Sequence, residues 1–180
     1  MDLTIQMCYP FPEVISVQKF RTGPYEASAL EAVAALFYEA LSGDEVFRRA
    51  FPDSGAGKAH CRDFTEEYAR NGEIHTLWEG PALLSAALWS PPGAKVPSPT
   101  WAFEVPEPAW KLYLLASRGG GAGKALLTFA RKRFAGERLL TLCGGERQAA
   151  WFRRRGWRDL TETEFGTALE LTLPPPSGIL

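Results

Sequence analysis

The chain has 180 residues, enough for one domain with a sizeable core. Its 20 Lys and Arg residues balance 21 Asp and Glu residues, so the overall charge favours binding neither to nucleic acid nor to a membrane surface. The three cysteines are odd in number and lack metal-type spacing, which indicates neither a disulfide framework nor a metal site. Because the sequence contains no secretion-signal pattern and no apolar run of membrane-spanning length, we expect a cytoplasmic protein.

Strands and helices alternate along the first half of the sequence. A strand is predicted over residues 14–20. Apolar residues then recur at helical spacing from Ala29 to Ala40, and Ser42-Gly43 ends that helix. A second helical region is predicted between Val46 and Asn71, with a break around residues 52–57.

The second half predicts a sheet with two further helices. A hairpin is expected around Gly80-Pro81, and the segment from Pro91 to Pro108 contains six prolines and is expected to form a loop over a site. No repeat or boundary divides the chain, so we expect one domain over residues 1–180 with an irregular tail at 174–180. The remaining predicted elements are, in chain order, a buried strand over Leu112–Ala116, a helix from Ala122, a strand over Leu139–Leu142, a short helix from Glu146, and strands over Leu160–Glu164 and Ala168–Thr172.

The segment from Arg118 to Lys124, Arg-Gly-Gly-Gly-Ala-Gly-Lys, joins the buried strand to the following helix. Glycines let backbone N–H groups converge on one point, and the helix N-terminus adds positive potential, so the segment suits a phosphate or diphosphate. It is not a Walker A loop, because the first required glycine is replaced by Arg118 and Lys124 is followed by Ala125. The dinucleotide-binding fingerprint also fails, since Lys124 stands where its third glycine would be.

The same segment matches the pattern Gln/Arg-x-x-Gly-x-Gly/Ala at every fixed position. This pattern is typical of the GNAT superfamily of N-acetyltransferases, which the chain resembles roughly from residue 14 to Leu173. Two further segments carry the resemblance. Trp151 to Trp157 is similar to the family's aromatic-Tyr-x-x-x-Gly-Phe segment, and Leu88 to Gly93 is similar to the strand end that precedes the central strand in one branch.

The resemblance implies an α/β fold (α+β in some schemes): a mixed central β-sheet with helices on both faces and a splayed pair of central strands. Acyl-CoA would enter between these strands, with its diphosphate on the loop amides and its pantetheine arm along the strand. Gln148 stands where relatives often place an Asn beside the cofactor. The cofactor-binding residues implied in this way are Leu114, Leu115, Ala116, Arg118, Gly119, Gly120, Gly121, Ala122, Gly123, Lys124, Gln148 and Phe152.

The reaction implied by the resemblance is direct attack of an amine on the acetyl-CoA thioester in a ternary complex, which needs a base, oxyanion donors and an acid for the thiolate. In relatives the acid is often the Tyr of the aromatic-Tyr segment, and here that position is Phe152. Tyr113 and Cys143 are candidate substitutes, although the thiolate could also leave unprotonated. Glu104 and Glu107 are candidate bases, and each has the alternative interpretation of a solvated loop carboxylate.

Two other departures from the family bear on activity. The branch resembled by Leu88 to Gly93 often has a His near the start of the central strand, where this chain has Ala109. Relatives usually have several residues between strand and Arg, and this chain has only Ser117. The expected partners are an acyl-CoA and an amine acceptor, with a homodimer left open and with no nucleic acid or membrane.

Three functional interpretations follow. The first is an N-acetyltransferase, and the second is a catalytically weak or inactive acyl-CoA-binding or regulatory module, which the absent Tyr and His favour. The third, a nucleotide-binding protein, is disfavoured by the failed Walker comparison. Cys143 has the alternative interpretation of a small core residue. Residues 153–155, all arginines, have two interpretations: a solvated helix end or ligands of the CoA 3′-phosphate.

Overall fold

The computed structural model describes residues 27–94 and 105–175, which form one mixed sheet packed between helices. In this part of the chain the sheet has six strands in the order β1-β2-β3-β4-β6-β5. The strand predicted over residues 14–20, and Glu104, lie outside the described residues. The elements are α1 (Ala27–Leu41), α2 (Glu45–Ala50), α3 (Ser54–Asn71), β1 (Glu73–Glu79), β2 (Ala82–Ser90), β3 (Trp110–Ser117), α4 (Ala122–Arg133), β4 (Arg138–Cys143), α5 (Glu146–Arg153), β5 (Arg158–Thr163) and β6 (Gly166–Thr172).

The helices cover the two faces of the sheet with separate apolar clusters. On one face, α1 and α3 pack on β1, β2 and β3 through side chains such as Phe37, Phe64 and Leu88. On the other face, α4 and α5 pack through side chains such as Leu126 and Phe152. The α/β fold class predicted from the sequence, with helices on both faces of a mixed sheet, is confirmed.

The second helical region is interrupted for fewer residues than the sequence predicts. Helix α3 begins at Ser54 because the Asp53 carboxylate accepts a hydrogen bond from the Ala56 amide at 2.8 Å. Gly57, which the sequence places in the break, therefore lies inside α3. A Cβ there would lie 3.0 Å from the Tyr38 ring, so the absence of a side chain lets α3 pack closely on α1.

A buried histidine connects β1 to α4. His75 is 1% exposed, and its Nε2 is 3.1 Å from the Glu73 carboxylate, which also accepts a hydrogen bond from Arg133 at 2.6 Å. The imidazole stacks on Phe134, with 5.4 Å between ring centroids. Burial lowers the pKa of His75 below its ordinary value of 6.5, although Glu73 acts in the opposite direction. The geometry therefore gives His75 a structural role as a neutral side chain.

The structure adds one observation on membranes. Within residues 27–94 and 105–175, no helix combines the length and apolar character needed to cross a bilayer.

Candidate functional site

The parallel central strands β3 and β4 separate soon after they meet. At the last paired position, Leu112 lies opposite Thr141, and the Thr141 hydroxyl donates a hydrogen bond to the Leu112 carbonyl at 3.2 Å. Beyond Leu112, β3 continues to Ser117 in register with β2, whereas this stretch of the described chain does not pair with β4. The β4-facing edge of β3 is therefore open, and an open strand edge can bind an extended ligand through its backbone. The three pairs are Trp110 with Leu139, Lys111 with Leu140, and Leu112 with Thr141.

A β-bulge lies at the point of separation. Leu112 is opposite Trp89 and Leu114 is opposite Leu88, so Tyr113 is an extra residue in β3. The bulge places Tyr113 and Leu114 together on the α1–α3 face. Because a bulge bends its strand and increases its twist, it gives a physical reason for the divergence of β3 from β4.

The open strand edge leads directly into a loop of left-handed glycines. Gly119, Gly120 and Gly121 have φ values of 92°, 59° and 79°. A Cβ on any of them would meet no atom within 4 Å. These positions favour glycine because of backbone conformation and not because of crowding. The loop therefore presents accessible backbone at the start of α4, where Gly121 is the N-cap and supplies no side-chain cap.

Arg118 connects this loop to the neighbouring elements. Its amide donates to the Leu84 carbonyl at 2.9 Å, and its guanidinium donates to the Leu83 carbonyl at 3.1 Å. The guanidinium also forms an ion pair with Glu39 of α1 at 2.9 Å. The contacts of Arg118 are thus internal and hold the loop on β2 and α1.

Ser117 occupies part of the loop's hydrogen-bonding capacity. Its hydroxyl oxygen accepts from the Gly123 amide at 3.1 Å and from the Gly119 amide at 3.4 Å, and the Ala122 amide donates to the Gly119 carbonyl at 3.1 Å. In the sequence, Ser117 is notable only because it is the single residue between the strand and Arg118, where relatives usually have several. That short connection is the one sequence signal for the role of Ser117. Within the described residues, the loop amides without a hydrogen bond are those of Gly120, Gly121 and Lys124.

The strand residues predicted to contact the cofactor line the open edge of β3. Leu114 and Leu115 are half-buried. The Ala116 carbonyl already accepts a hydrogen bond from the Ser85 hydroxyl at 2.7 Å. On α5, the Gln148 side chain is exposed. The assignment of these residues, and of the others named from the sequence, to cofactor binding remains a prediction.

The candidate acids are divided between the two faces of the sheet. Tyr113 stacks on Tyr68 of α3, with 5.2 Å between ring centroids. Burial and the neighbouring Cys61 raise the pKa of Tyr113 above its ordinary value. Cys143 ends β4 on the opposite face, in the same apolar cluster as Phe152. Burial raises the pKa of the Cys143 thiol to about 12.

The structure also shows the contacts of Phe152 and Glu107, two further residues named from the sequence. Phe152 is 8% exposed and packs edge-on against Trp157, with 5.1 Å between ring centroids. Glu107 accepts a hydrogen bond from the Ala109 amide at 3.0 Å and pairs with Lys111. In the described part of the chain, no group of three His, Cys, Asp or Glu side chains is arranged to hold a metal ion.

Comparison with known proteins supports the fold. No family sequence model matches the chain, and no curated protein matches it. A structure from Corynebacterium glutamicum, described as histone acetyltransferase HPA2 and related acetyltransferase, is 24% identical, with 89% of this chain and 99% of that chain covered and a TM-score of 0.64. A Desulfovibrio desulfuricans structure assigned to the GNAT family of acetyltransferases is 15% identical over 86% of this chain and 98% of its own, with a TM-score of 0.57. The chain has the GNAT fold.

The GNAT fold is shared with a structure that was solved with a ligand. The PaiA N-acetyltransferase from Thermoplasma acidophilum, solved in complex with coenzyme A, is 10% identical and has a TM-score of 0.59. The match covers 86% of this chain and 99% of that one. The similarity to GNAT proteins predicted from the residues at 118–123 is confirmed at the level of the fold.

Proposed function

We propose that this GNAT-fold chain is an N-acetyltransferase that transfers an acetyl group from acetyl-CoA to a primary amine of a small molecule or peptide. The observation that carries the proposal is the open β3 edge beyond Leu112, which runs without interruption into the left-handed glycines at 119–121. An extended arm with amide groups suits the first part, and a diphosphate suits the second. Acyl-CoA contains both in that order.

Backbone amides and the helix N-terminus at the loop offer different interactions to the diphosphate. The amides of Gly120, Gly121 and Lys124 are available to its oxygens, and the N-terminus of α4 adds positive potential. The amides held by Ser117 become available only when its hydroxyl moves away. The residues therefore fit the group, although part of the anion-binding capacity is occupied in the ligand-free protein.

The comparisons with known structures also support the proposed acetyltransferase activity. The similar structures from C. glutamicum and D. desulfuricans are described as acetyltransferases, and the T. acidophilum structure holds coenzyme A. On this proposal, Glu104 is the candidate base and Tyr113 and Cys143 are the candidate acids. The amine attacks the thioester carbonyl and loses a proton to the base, the C–S bond breaks, and the departing thiolate takes up a proton from the acid or from water to leave as CoA.

A second candidate, an acyl-CoA-binding module with little or no catalysis, is favoured by the surroundings of Cys143. A thiol with a pKa of about 12 is a weaker acid than an ordinary thiol, whose pKa is about 8.5. Proton transfer from Cys143 to a departing thiolate would therefore be unfavourable. Phe152 has no proton to donate. Tyr113→Phe tests the remaining acid, because an acid role predicts a loss of kcat with little change in KM.

The decisive experiment measures acetyl-CoA binding and CoA release separately. Calorimetry gives the dissociation constant, and a thiol assay across a panel of amines and peptides follows turnover. Saturable release of CoA with at least one amine is the expected result. Tight binding without turnover on any amine would favour the second candidate, and the absence of acetyl-CoA binding would contradict both.

A further inference from the structure

Three arginines in α4 and directly after α5 have no carboxylate partner among the described residues: Arg131, Arg154 and Arg155. Arg153, by contrast, forms ion pairs with Glu146 and Asp159, each at 2.7 Å. The sequence left two interpretations open for residues 153–155, a helix end without a ligand or an anion-binding cluster, and the structure gives different surroundings to different arginines. Arg153 is neutralised by internal partners, and the positive charges that follow it are not.

Arg131 and Arg155 are held in place by backbone contacts. Arg131 donates through Nη2 to the Arg155 carbonyl, and Arg155 donates through Nη1 to the Trp151 carbonyl at 2.7 Å. The Arg155 guanidinium lies 3.6 Å above the centre of the Trp151 ring. The Nε atoms of both arginines are buried without an acceptor in the described structure. The position of the cations is thus fixed, while their hydrogen-bonding capacity is only partly used.

The electrostatics of the cluster favour an anion. Burial and the like charges of Arg154 and Arg131 lower the pKa of the Arg155 guanidinium. Partly buried cations without a counter-charge are unfavourable, and a phosphate group with two negative charges relieves the repulsion between them. The remaining terminal nitrogens of Arg131 and Arg155 suit phosphate oxygens.

Trp151 links the arginine cluster to the glycine loop. A Cβ on Gly123, in the first turn of α4, would lie 3.9 Å from Cζ2 of Trp151. Trp151 therefore reaches from the start of α4 to the Arg155 guanidinium stacked on its ring. A ligand whose diphosphate lies at the loop and which continues past Trp151 brings a second phosphate towards the arginines.

We propose that Arg131, Arg154 and Arg155 form a phosphomonoester site that binds the 3′-phosphate of acyl-CoA. The inference rests on the proposed function, because it takes acyl-CoA as the ligand of the loop. On this proposal, these three arginines make the protein bind acetyl-CoA more tightly than its 3′-dephospho analogue, which lacks only that phosphate.

Calorimetry with acetyl-CoA and acetyl-3′-dephospho-CoA tests the assignment. The wild-type protein should bind the dephospho compound about tenfold or more weakly, since hydrogen bonds to a charged group are lost. Arg155→Gln should weaken acetyl-CoA binding by about the same factor and leave binding of the dephospho compound unchanged. Arg154→Gln, at an exposed side chain, provides a second variant whose folding is not at risk. Lys132→Gln, next to Arg131 but exposed, is the matched control and should preserve the wild-type ratio.

The outcomes separate the inference from the proposed function. Equal wild-type affinity for the two compounds would overturn the phosphomonoester site and leave the acyl-CoA proposal standing. Weakened binding of both compounds by Arg155→Gln would also overturn it, because the loss would then be structural. If the wild-type protein binds neither compound, the proposed function fails and the assignment to acyl-CoA fails with it.

Discussion

Replacing Gly121 with glutamate should abolish acetyl-CoA binding while leaving the fold intact. Gly121 is the N-cap of α4, with φ of 79° and ψ of 0°. A Cβ there would meet no atom within 4 Å, so the start of a side chain fits without displacing a neighbour. A residue other than glycine in this left-handed conformation costs about 1–2 kcal/mol of the free energy of unfolding. A carboxylate at a helix N-terminus returns about 0.3–1 kcal/mol, so the net loss of stability should be small.

The effect on binding is larger because the new carboxylate faces the bound diphosphate. Two phosphate charges at about 5 Å repel it by about 1.7 kcal/mol in total at the dielectric constant of water, and by about 7 kcal/mol at an effective value near 20. Even the lower figure weakens binding about 15-fold. The side chain also occupies space that the ligand needs, so the repulsion sets a minimum.

Calorimetric titration with acetyl-CoA, together with urea unfolding, measures the two effects separately. Gly121→Gln has the same size and the same backbone strain without the charge, so its difference from Gly121→Glu isolates the repulsion. Gly80→Glu places the same side chain at another open glycine with positive φ, in the β1–β2 turn, and should bind normally. If Gly121→Glu bound acetyl-CoA as tightly as the wild-type protein, the diphosphate could not lie at this loop.

Three further predictions concern the loop, the buried histidine and a close backbone contact. Ser117→Ala should tighten acetyl-CoA binding in calorimetry because two loop amides are freed, while the ligand-free protein loses about 0.5–2 kcal/mol of stability; weaker binding would contradict the proposed competition. Because burial lowers the pKa of His75, the unfolded chain takes up a proton that the folded chain resists as the pH falls below about 6.5. The free energy of unfolding should therefore decrease from pH 7.5 to 5, and His75→Gln should remove up to about 1.4 kcal/mol per pH unit of this slope; an identical slope in both proteins would refute the argument. Gly166→Ala should destabilise the fold by more than about 2 kcal/mol in denaturant unfolding, because φ is 126° and its Cβ would overlap the Cys143 carbonyl. Gly43→Ala, which has open space around it, should cost little, and equal effects of the two changes would argue against the overlap.

Much of the fold could be predicted because its signals are local. The apolar run from Leu112 to Ala116 and the helical spacing after Ala122 each depend on neighbouring residues in the sequence, and both elements form with nearly the predicted bounds. The glycines at 119–121 likewise indicate an open loop from the sequence alone, since glycine is the residue that readily adopts positive φ. The GNAT fold itself is implied by the resemblance of residues 118–123, 151–157 and 88–93 to segments of that family, and the order of these elements agrees with it.

The details of the site could not be predicted because they depend on contacts between distant residues. Arg118 reaches Glu39 of α1, and nothing in the loop sequence shows that an acidic partner lies there. The face occupied by Tyr113 depends on the register between β2 and β3, which a bulge shifts by one residue. Which arginines of residues 153–155 are neutralised is decided by carboxylates elsewhere in the fold.

Because of the bulge at Tyr113, the opening between β3 and β4 depends on the number of residues in β3 as much as on the identity of their side chains. One inserted residue changes the side-chain alternation of β3 at the position where its contact with β4 ends. A related chain lacking that single residue could continue the parallel ladder beyond Leu112 and close the opening, even if every remaining side chain were kept. Insertions and deletions in this strand should therefore alter ligand access more sharply than most substitutions along it.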